Sequence, residues 1–419
     1  MSGNVSEIVW DIWGTLPGGT LTDPAGPQSG QNRARRNGGI QNGQSMQNLI
    51  WRGSITPSTI GRDLGMRVAQ TGNPLPSAAT PIFSLPSGFY TSEQTIQISC
   101  STPGAQIYYT LDGSYPTTQT GIYYQNPLAV HEPVMLRAVA YQDNMNPSLE
   151  AHGVYNVIRY PGQNFVLVEG GTFNNGSSNV TLSSFWIDRY ELTQISFLAV
   201  TGRNPSHFIG NSTRAAERIS WFDVIEYCNK RSILEGLNPC YSYSANGVNL
   251  GTDVESWPQG WSASNVNHQN IICNWNANGY RMPTEMEWLF AAKGGNLSHG
   301  YPYSGGNDIN SVAWYYNNSQ SLGLSSPDYG PHPGGHKTGN ELNIFDMTGN
   351  LIEWCWDIYG AYSSTDQTNP TGAGTGTYRV CRGGSWVCMD YQSYLHMRGY
   401  NPPTVLDFFV GARIARNAQ

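Results

Sequence analysis

Seven cysteines are the first side chains in this sequence that could carry redox or metal chemistry. Thiolates are nucleophiles and soft metal ligands, but no two of these cysteines have the C-x-x-C spacing of a structural zinc site. The odd count leaves at least one thiol unpaired. Cys240 and Cys273 could form a disulfide, and the alternative is that both are buried as small apolar side chains. The full set is Cys100, Cys228, Cys240, Cys273, Cys355, Cys381 and Cys388.

A second chemical pattern is the pair His332 and His336, which lies in a stretch rich in Pro and Gly. Two imidazoles at this spacing can share a metal ion, but no third ligand or catalytic base lies near them in the sequence. We therefore interpret both residues as solvated loop histidines.

Composition excludes several classes of protein. Only 12% of residues are charged, whereas Gly occurs 48 times and Trp 13 times, so a mainly disordered chain is not expected. The net charge of −7 and the lack of a basic stripe argue against a nucleic-acid partner. No apolar run is long enough for a transmembrane helix, and the polar start does not resemble a signal peptide. Loop-rich globular domains are therefore expected.

The first organising feature is a repeat. Residues 1–69 align without a gap to residues 347–415, with 22 identical positions that include Met-x-Gly-Asn, Trp-Asp-Ile and Arg-Gly motifs. We interpret residues 1–70 as the C-terminal fragment of a domain, repeated at 347–416. Such a fragment is marginally stable alone. We expect either that the natural protein extends upstream of Met1 or that the fragment docks onto another domain.

Residues 71–80 are predicted to be a linker, and residues 81–157 an all-β domain. Alternating apolar and polar residues predict half-buried strands, and Asp112-Gly113 predicts a hairpin turn. The motif from Ile107 to Gly113, Ile-Tyr-Tyr-Thr-Leu-Asp-Gly, resembles the C-terminal sandwich domain of chitobiases and hexosaminidases. The resemblance implies an immunoglobulin-like, non-catalytic accessory domain of an extracellular protein.

The last segment contains three helix starts among long Gly- and Asn-rich stretches. Thr193 precedes a helix that should end near Gly202, and Ser220 precedes one that should end near Arg231. Thr284 begins a third helix, with a glutamate at capping-box spacing. Because few regular elements are expected, side chains or metals must bind the polar backbone groups of the loops.

This segment, residues 163–418, resembles the formylglycine-generating enzyme (sulfatase-modifying factor) family. The resemblance implies an α+β, loop-rich C-type lectin fold, with the all-β immunoglobulin-like sandwich in front of it. The motifs that carry it stand in the family's order: Tyr190-Glu-Leu-Thr193, Gly279-Tyr-Arg-Met-Pro-Thr284, Asp346-Met-Thr-Gly-Asn-Leu-Ile-Glu353, Arg382-Gly-Gly-Ser-Trp386 and Gly411-Ala-Arg413.

Active members of this family oxidise a substrate cysteine with two copper-binding cysteines at C-x4-C spacing, since soft thiolates suit Cu(I). Cys388 occupies the first of these positions, but Ser393 occupies the second. We therefore expect no copper and no enzymatic activity. The alternative is a formylglycine-generating-type copper oxidase, or a related oxidoreductase, that uses Cys388 with another thiol.

The resemblance also implies a structural calcium site. Its ligands would be the side chains of Asp346 and Glu353 and the backbone carbonyls of Gly349 and Leu351, because hard oxygen ligands suit Ca²⁺. The alternative is that Glu353 caps or pairs with the loop and no metal binds.

Non-catalytic relatives include the variable proteins of diversity-generating retroelements, which resemble this chain in the motifs on either side of residues 387–410. In those proteins the stretch between these motifs is a ligand-binding surface, and its codons are mutated at adenines. Most residues here belong to the set that such mutation of Asn codons yields, so we interpret 387–410 as a candidate variable region. The alternative is an ordinary loop packed on its own core. The predicted ligand-binding residues are Val387, Cys388, Asp390, Tyr391, Ser393, His396, Tyr400, Asn401, Leu406, Asp407, Phe408 and Phe409.

The sequence thus predicts a non-catalytic ligand-binding protein with a variable C-terminal face. Its expected partner is a protein or glycan on another cell or host surface, contacted mainly by Tyr391, Tyr400, Phe408 and Phe409. The domain types indicate an extracellular or cell-surface location. A further alternative is a structural cell-surface module.

Overall fold

The computed structural model describes residues 6–12, 33–36, 52–55, 64–66, 75–90, 92–131, 133–157, 164–258 and 268–418. The chain divides into two units, Met1–Leu75 and Pro76–Gln419. Within the described ranges, no helix has the length and apolar character that a membrane crossing requires.

The first unit contains one four-stranded sheet with the strand order β3-β2-β1-β4. Strand β1 runs antiparallel to β2 and parallel to β4. The strands are β1 (Ser6–Ile12), β2 (Arg33–Arg36), β3 (Arg52–Ile55) and β4 (Leu64–Met66).

The second unit begins with an all-β sandwich. A five-stranded sheet, β10-β9-β12-β13-β6, packs with two strand pairs, β11-β7 and β5-β8. Leu136, Ala138 and Ala140 of β12 are fully buried in its core, as period-2 alternation predicts. The strands are β5 (Ile82–Phe83), β6 (Gly88–Tyr90), β7 (Gln94–Ile96), β8 (Ile98–Ser99), β9 (Gln106–Thr110), β10 (Ile122–Tyr123), β11 (Leu128–Val130), β12 (Val134–Tyr141) and β13 (Ala151–Val157).

The predicted hairpin at Asp112-Gly113 is wrong. Strand β9 ends at Thr110 and its antiparallel partner β10 begins only at Ile122. Gly113 instead donates its N–H to the carbonyl of Met135 at 3.0 Å, and its φ of 80° lies in the left-handed region. The dipeptide bends the chain and forms an isolated bridge to Met135 of β12, and it does not join β9 to β10.

The remainder of the second unit is an α+β domain, which confirms the predicted fold class. Its sheets are β14-β17-β26, β15-β16-β22, β19-β18-β20 and β24-β23-β21-β25. The helices are α1 (Gln194–Thr201), α2 (Trp221–Leu234), α3 (Glu285–Ala292) and α4 (Ile309–Val312). The strands are β14 (Phe165–Val168), β15 (Gly171–Asn174), β16 (Asn179–Leu182), β17 (Phe185–Asp188), β18 (Tyr241–Ala245), β19 (Val248–Asn249), β20 (Ile271–Cys273), β21 (Ile352–Ile358), β22 (Gln367–Thr368), β23 (Arg379–Arg382), β24 (Gly399–Asn401), β25 (Val410–Gly411) and β26 (Ala415–Asn417).

The predicted helix starts are confirmed. The Thr193 side chain accepts a hydrogen bond from the N–H of Ser196, and α1 ends at Gly202 in the left-handed conformation. Ser220 and Thr284 each form a capping box at the start of α2 and α3. Each cap satisfies backbone N–H groups that the first helical turn leaves unpaired. Helix α2 continues to Leu234, beyond its predicted end.

The sheet at the end of the chain repeats the first one. Strands β24-β23-β21-β25 have the same order and directions as β3-β2-β1-β4. Glu353 pairs with Arg382 and with Gly411, and Glu7 occupies the same place in the first sheet, opposite Arg36 and Gly65. The repeat found in the sequence therefore extends to strand register.

Buried arginines bind backbone carbonyls of the loops. This is the role that the sequence predicted for side chains in a domain with few helices and strands. Arg382 is 2% exposed and donates from Nη1 to the carbonyls of Leu395 and Met397 at 3.0 and 2.9 Å. Arg413 is fully buried and donates to the carbonyl of Phe345 at 2.8 Å. A guanidinium offers five donors in a fixed plane, so it satisfies several loop carbonyls at once.

All seven cysteines are free, so a Cys240–Cys273 disulfide is not formed. Tyr241, not Cys240, lies opposite Cys273 in the β18–β20 register. Cys240 precedes the first residue of β18. Both are buried in one apolar cluster, which is the alternative that the sequence left open.

Candidate functional site

The segment 387–410 lies between β23, which ends at Arg382, and β25, which begins at Val410, and it includes β24. Gly383 and Gly384 turn the chain out of β23 with φ values of 101° and 72°, which side-chain-bearing residues rarely adopt. Exposed residues of the predicted set are Asp390, Tyr391, His396, Tyr400, Leu406, Asp407 and Phe408, and half-buried ones are Val387, Cys388, Asn401 and Phe409.

Four aromatic rings pack together where this segment begins and ends. We name this group the Trp386 cluster, and it consists of Phe208, Tyr329, Trp386 and Phe408. Trp386 is fully buried, and its ring centroid lies 5.3 Å from Phe208, 5.0 Å from Tyr329 and 5.8 Å from Phe408. Its indole Nε1 donates to the carbonyl of Phe408 at 3.1 Å. A buried residue outside the segment thus fixes the backbone under an exposed aromatic side chain.

The sequence did not identify Phe208 or Tyr329 as part of this site. They come from two other loops and have no periodic pattern that would predict their packing. The one local signal is Gly330, which follows Tyr329. Its φ is 112°, and a Cβ there would lie 2.7 Å from the ring of Phe208, so only glycine lets Phe208 approach.

The predicted residues do not form a single cluster. Tyr400 packs against Tyr359 and Tyr378, with ring centroids 4.4 and 5.0 Å away. Its strand β24 and strand β25, which follows Phe408, are the two edges of a four-stranded sheet. Three strand spacings of about 4.8 Å therefore lie between these edges. Tyr400 and Phe408 belong to two separate aromatic groups.

Ser393 is buried, so the expectation that it faces a ligand is wrong. It is 1% exposed, and its Oγ donates to the carbonyl of Met389 at 3.3 Å. A Cβ on Gly384 would lie 2.5 Å from that Oγ, so the two loop turns are in close contact. The side chain serves the packing of the loop.

Cys388 is half-buried, and its Sγ lies 3.4 Å from the Oγ of Ser385. The second position of the C-x4-C pair is the buried hydroxyl of Ser393. In the part of the chain that the structure describes, no group of three or more His, Cys, Asp or Glu side chains could hold a metal ion.

The carboxylate of Glu353 is fully buried and fully occupied. It accepts from Arg413 Nε and Nη2, the latter at 2.7 Å, and from the indole Nε1 of Trp288 at 2.6 Å. This bidentate pair uses the lone pairs that a calcium ion would need. Glu353 as it stands does not fit the predicted calcium site.

Asp346 has a free ligand oxygen. Its Oδ2 accepts from the N–H of Gly335 at 2.9 Å, whereas its Oδ1 is buried without a hydrogen-bond partner. Burial raises the pKa of Asp346 to about 6, against the lowering effects of the Gly335 bond and the Arg413 charge. Of the two side-chain ligands, only Asp346 fits a cation. Calcium binding by Asp346, Gly349, Leu351 and Glu353 stays a prediction.

His332 is buried, which corrects its interpretation as a solvated loop histidine. It is 5% exposed and stacks on Trp314 with ring centroids 3.6 Å apart. Burial lowers the pKa of His332 to about 4, so the ring is neutral near pH 7. The sequence could not show this, because Trp314 comes from another loop.

A cavity of about 500 Å³ lies between the sandwich and the α+β domain and contains none of the predicted site residues. Asn156 of β13 and the carboxylate of Asp188 line it together with Arg231. Burial raises the pKa of Asp188 to about 6. Arg231 is bound to Glu235 at 2.8 Å, so its charge is already paired.

Comparison with known proteins agrees with this architecture. The sequence profile of the sulfatase-modifying factor enzyme 1-like domain matches residues 154–418, and that of the chitobiase/β-hexosaminidase C-terminal domain matches residues 85–151. The chain is 39% identical over 236 residues to the chaperone protein LppX of Paenibacillus barcinonensis, covering 53% of this chain and 78% of that protein. It is 26% identical over 263 residues to the formylglycine-generating enzyme of Thermomonospora curvata, covering 55% and 84%.

Its fold is similar to the solved structure of Treponema denticola variable protein 1. The TM-score is 0.53 and the sequence identity is 27%, over 67% of this chain and 99% of that one. Profile, relatives and fold agree with the motifs from Tyr190 to Arg413. The chain therefore belongs to the formylglycine-generating enzyme (sulfatase-modifying factor) family, with a C-type-lectin-like domain preceded by a chitobiase-type sandwich domain.

Proposed function

We propose that this protein is a non-catalytic ligand-binding protein that presents residues 387–410 as a variable face. The observation that carries the proposal is the Trp386 cluster, in which a buried indole fixes the backbone of exposed Phe408. The similarity to a protein described as a variable protein supports it, because it extends over 99% of that chain.

The segment combines a fixed backbone with free side chains. Arg382, which lies outside it, donates to the carbonyls of Leu395 and Met397. The side chains of Tyr391 and Phe408, in contrast, are 60% and 40% exposed. Substitution at the exposed positions would therefore change the surface without removing the contacts that define the loop. A diversified binding face requires this separation.

The proposed partner is a protein or glycan on another cell or host surface, and the proposed location is extracellular or at the cell surface. Exposed aromatic rings on a rigid loop supply contact area at a low cost in conformational entropy. The proposed anchors are three exposed rings, Tyr391, Tyr400 and Phe408, and the half-buried ring of Phe409. Single exposed apolar side chains occur on most protein surfaces. Exposed rings that were merely scattered would therefore be equally compatible with a structural cell-surface module.

The variable face makes a genetic and a binding prediction. Among sister isolates, we expect substitutions concentrated in codons 387–410, and uniform divergence along the gene would refute the proposal.

In a protein and glycan array, we expect Phe408→Ala to weaken the strongest hit by about 30-fold or more, the loss typical of an interface anchor. Tyr123→Ala, which removes a 45% exposed ring from the sandwich, is the matched control and should bind normally.

We also propose that the domain does not catalyse copper-dependent oxidation. Cys388 has the buried hydroxyl of Ser393 in place of a second thiol. We expect no stoichiometric Cu(I) binding by the reduced chain in a competition assay with a chromogenic Cu(I) chelator. Cu(I) binding that is present in the parent chain and lost in Cys388→Ser would instead favour the oxidase.

A further inference from the structure

One buried carboxylate holds the loop 204–209, which carries Phe208 of the Trp386 cluster. Glu217 is fully buried. Its Oε1 accepts hydrogen bonds from the backbone N–H groups of His207 and Phe208, the latter at 2.9 Å. Ser206 adds a contact from its Oγ to the Glu217 carbonyl at 3.3 Å. Glu217 therefore binds two consecutive backbone N–H groups of this loop, and Gln194 adds a bond from its Nε2 to the Phe208 carbonyl at 3.0 Å.

The loop lies beside the proposed binding face. The ring of Phe208 packs edge-on against Trp386 at 5.3 Å, and the ring of His207 lies 6.4 Å from Phe408. Ile209, the next residue, is 73% exposed. Phe208 thus supports the base of the face, and His207 lies beside the exposed Phe408.

The second oxygen of Glu217 has no partner. Its Oε2 is buried and makes no hydrogen bond. An ionised carboxylate accepts charge-assisted bonds from both backbone N–H groups, which are stronger than neutral bonds. A protonated carboxyl is a weaker acceptor and also carries an O–H donor, for which the present arrangement offers no acceptor at Oε2.

We propose that Glu217 is a positioning residue for the binding face: its ionised carboxylate holds the loop 204–209 against the Trp386 cluster, and protonation releases this hold. The inference deepens the proposed function, because it concerns the same surface. It assigns part of that surface to a loop outside the variable segment and makes its geometry depend on pH.

Burial of the Glu217 carboxyl places the transition near neutral pH. Burial raises the pKa of Glu217 to about 7, while the bonds from Phe208 and His207 and the charge of Arg218 lower it. Other charged or titratable residues on the adjoining segments are Arg214, His207 itself and Asp407, whose carbonyl accepts from the N–H of Arg218. The hold on the loop is therefore present above about pH 7 and is lost as the pH falls.

Global stability should change in the opposite direction. The pKa of Glu217 is higher in the folded chain than its ordinary value of 4.5. The resulting contribution to the free energy of unfolding is complete below pH 4.5 and is lost as the pH rises through about 7. A loop that becomes better held while the whole fold becomes less stable is a signature that a purely structural carboxylate would not give.

The test follows the loop amides directly and needs no ligand. In the full chain labelled with ¹⁵N-His and ¹⁵N-Phe, the amide signals of His207 and Phe208 are recorded across a pH range that brackets 7. We expect both signals to shift with one midpoint near pH 7. In Glu217→Gln, a neutral side chain of the same shape, the Phe208 signal should be independent of pH.

Two further variants separate Glu217 from other causes. Glu341 also accepts a backbone N–H, from His299 at 3.0 Å, so Glu341→Gln is the matched control and should leave the midpoint unchanged. His207→Asn removes the imidazole beside Phe208, and the Phe208 midpoint should remain.

A Phe208 signal that does not move in the parent chain, or a midpoint that persists in Glu217→Gln, would overturn the inference. The parent titration decides even if Glu217→Gln does not fold. These outcomes are independent of the array experiment with Phe408→Ala, so failure of the positioning role and failure of the binding function can be told apart.

Discussion

Replacing Arg413 by Ala is expected to lower the free energy of unfolding by about 3 to 5 kcal/mol, the usual result of leaving one partner of a buried ion pair alone. Arg413 and Glu353 are both fully buried, and two guanidinium nitrogens bind the carboxylate. Arg413 also donates to the carbonyls of Asp188 and Phe345 at 2.9 and 2.8 Å. The substitution therefore removes a countercharge and two backbone contacts at once, and equilibrium unfolding in urea measures the loss.

Two comparisons identify the cause of that loss. Arg416→Ala removes a half-buried arginine of the same strand region, which donates to the carbonyl of Asn278, and should cost about 1 kcal/mol. The double variant Glu353→Gln with Arg413→Met removes both charges and should lose less than Arg413→Ala alone. A loss for Arg413→Ala no larger than that for Arg416→Ala would contradict the ion-pair account. Calcium that restores stability to Arg413→Ala, with a chelator reversing it, would show that Glu353 can serve as a metal ligand.

The features that the sequence predicted correctly are local or strongly patterned. The capping boxes at Ser220 and Thr284 depend on two side chains three residues apart, so their spacing alone specifies the helix start. The repeat depends on a fixed offset along the chain and carries strand register with it, as Glu7 and Glu353 show. No long-range packing has to be known for either inference.

The features that the sequence missed depend on contacts between distant loops. His332 is buried because Trp314 stacks on it, and Ser393 is buried because Gly384 turns over it. The ion pair of Glu353 with Arg413 was also not foreseen, because the two residues lie in different motifs. Residue type and spacing do not reveal which loops meet, and in a domain with few regular elements the loops form most of the site.

The candidate face contains residues that the sequence pattern predicted and residues that it missed. The segment 387–410 was recognised from the motifs on either side of it, and most of the predicted residues are at least partly exposed. Its neighbours His207 and Phe208 were not recognised, because they precede the segment by most of the domain. The sequence therefore located the segment that we propose to be variable, whereas its neighbours from other loops required the fold.

The second large effect is expected at Trp386. Trp386→Ala should lower the free energy of unfolding by about 3 to 5 kcal/mol, because it leaves a cavity where a fully buried ring packs on Phe208 and Tyr329. Trp386→Phe keeps an aromatic ring but lacks the Nε1–H that binds the Phe408 carbonyl. Beyond the smaller volume, we expect that change to cost about 1 kcal/mol, the usual net value of such a hydrogen bond.

The decisive measurement compares Trp386→Phe with Trp354→Phe. Trp354 is also fully buried, and its Nε1 donates to the carbonyl of Ile219 at 3.0 Å, so both substitutions remove one indole bond to a backbone carbonyl. Similar losses of unfolding free energy are expected. Only Trp386→Phe should weaken binding of the ligand found on the array, because only Trp386 fixes the backbone under Phe408. Equal binding by the two variants would mean that the face does not depend on its buried base, and the proposed separation between a fixed scaffold and variable side chains would fail with it.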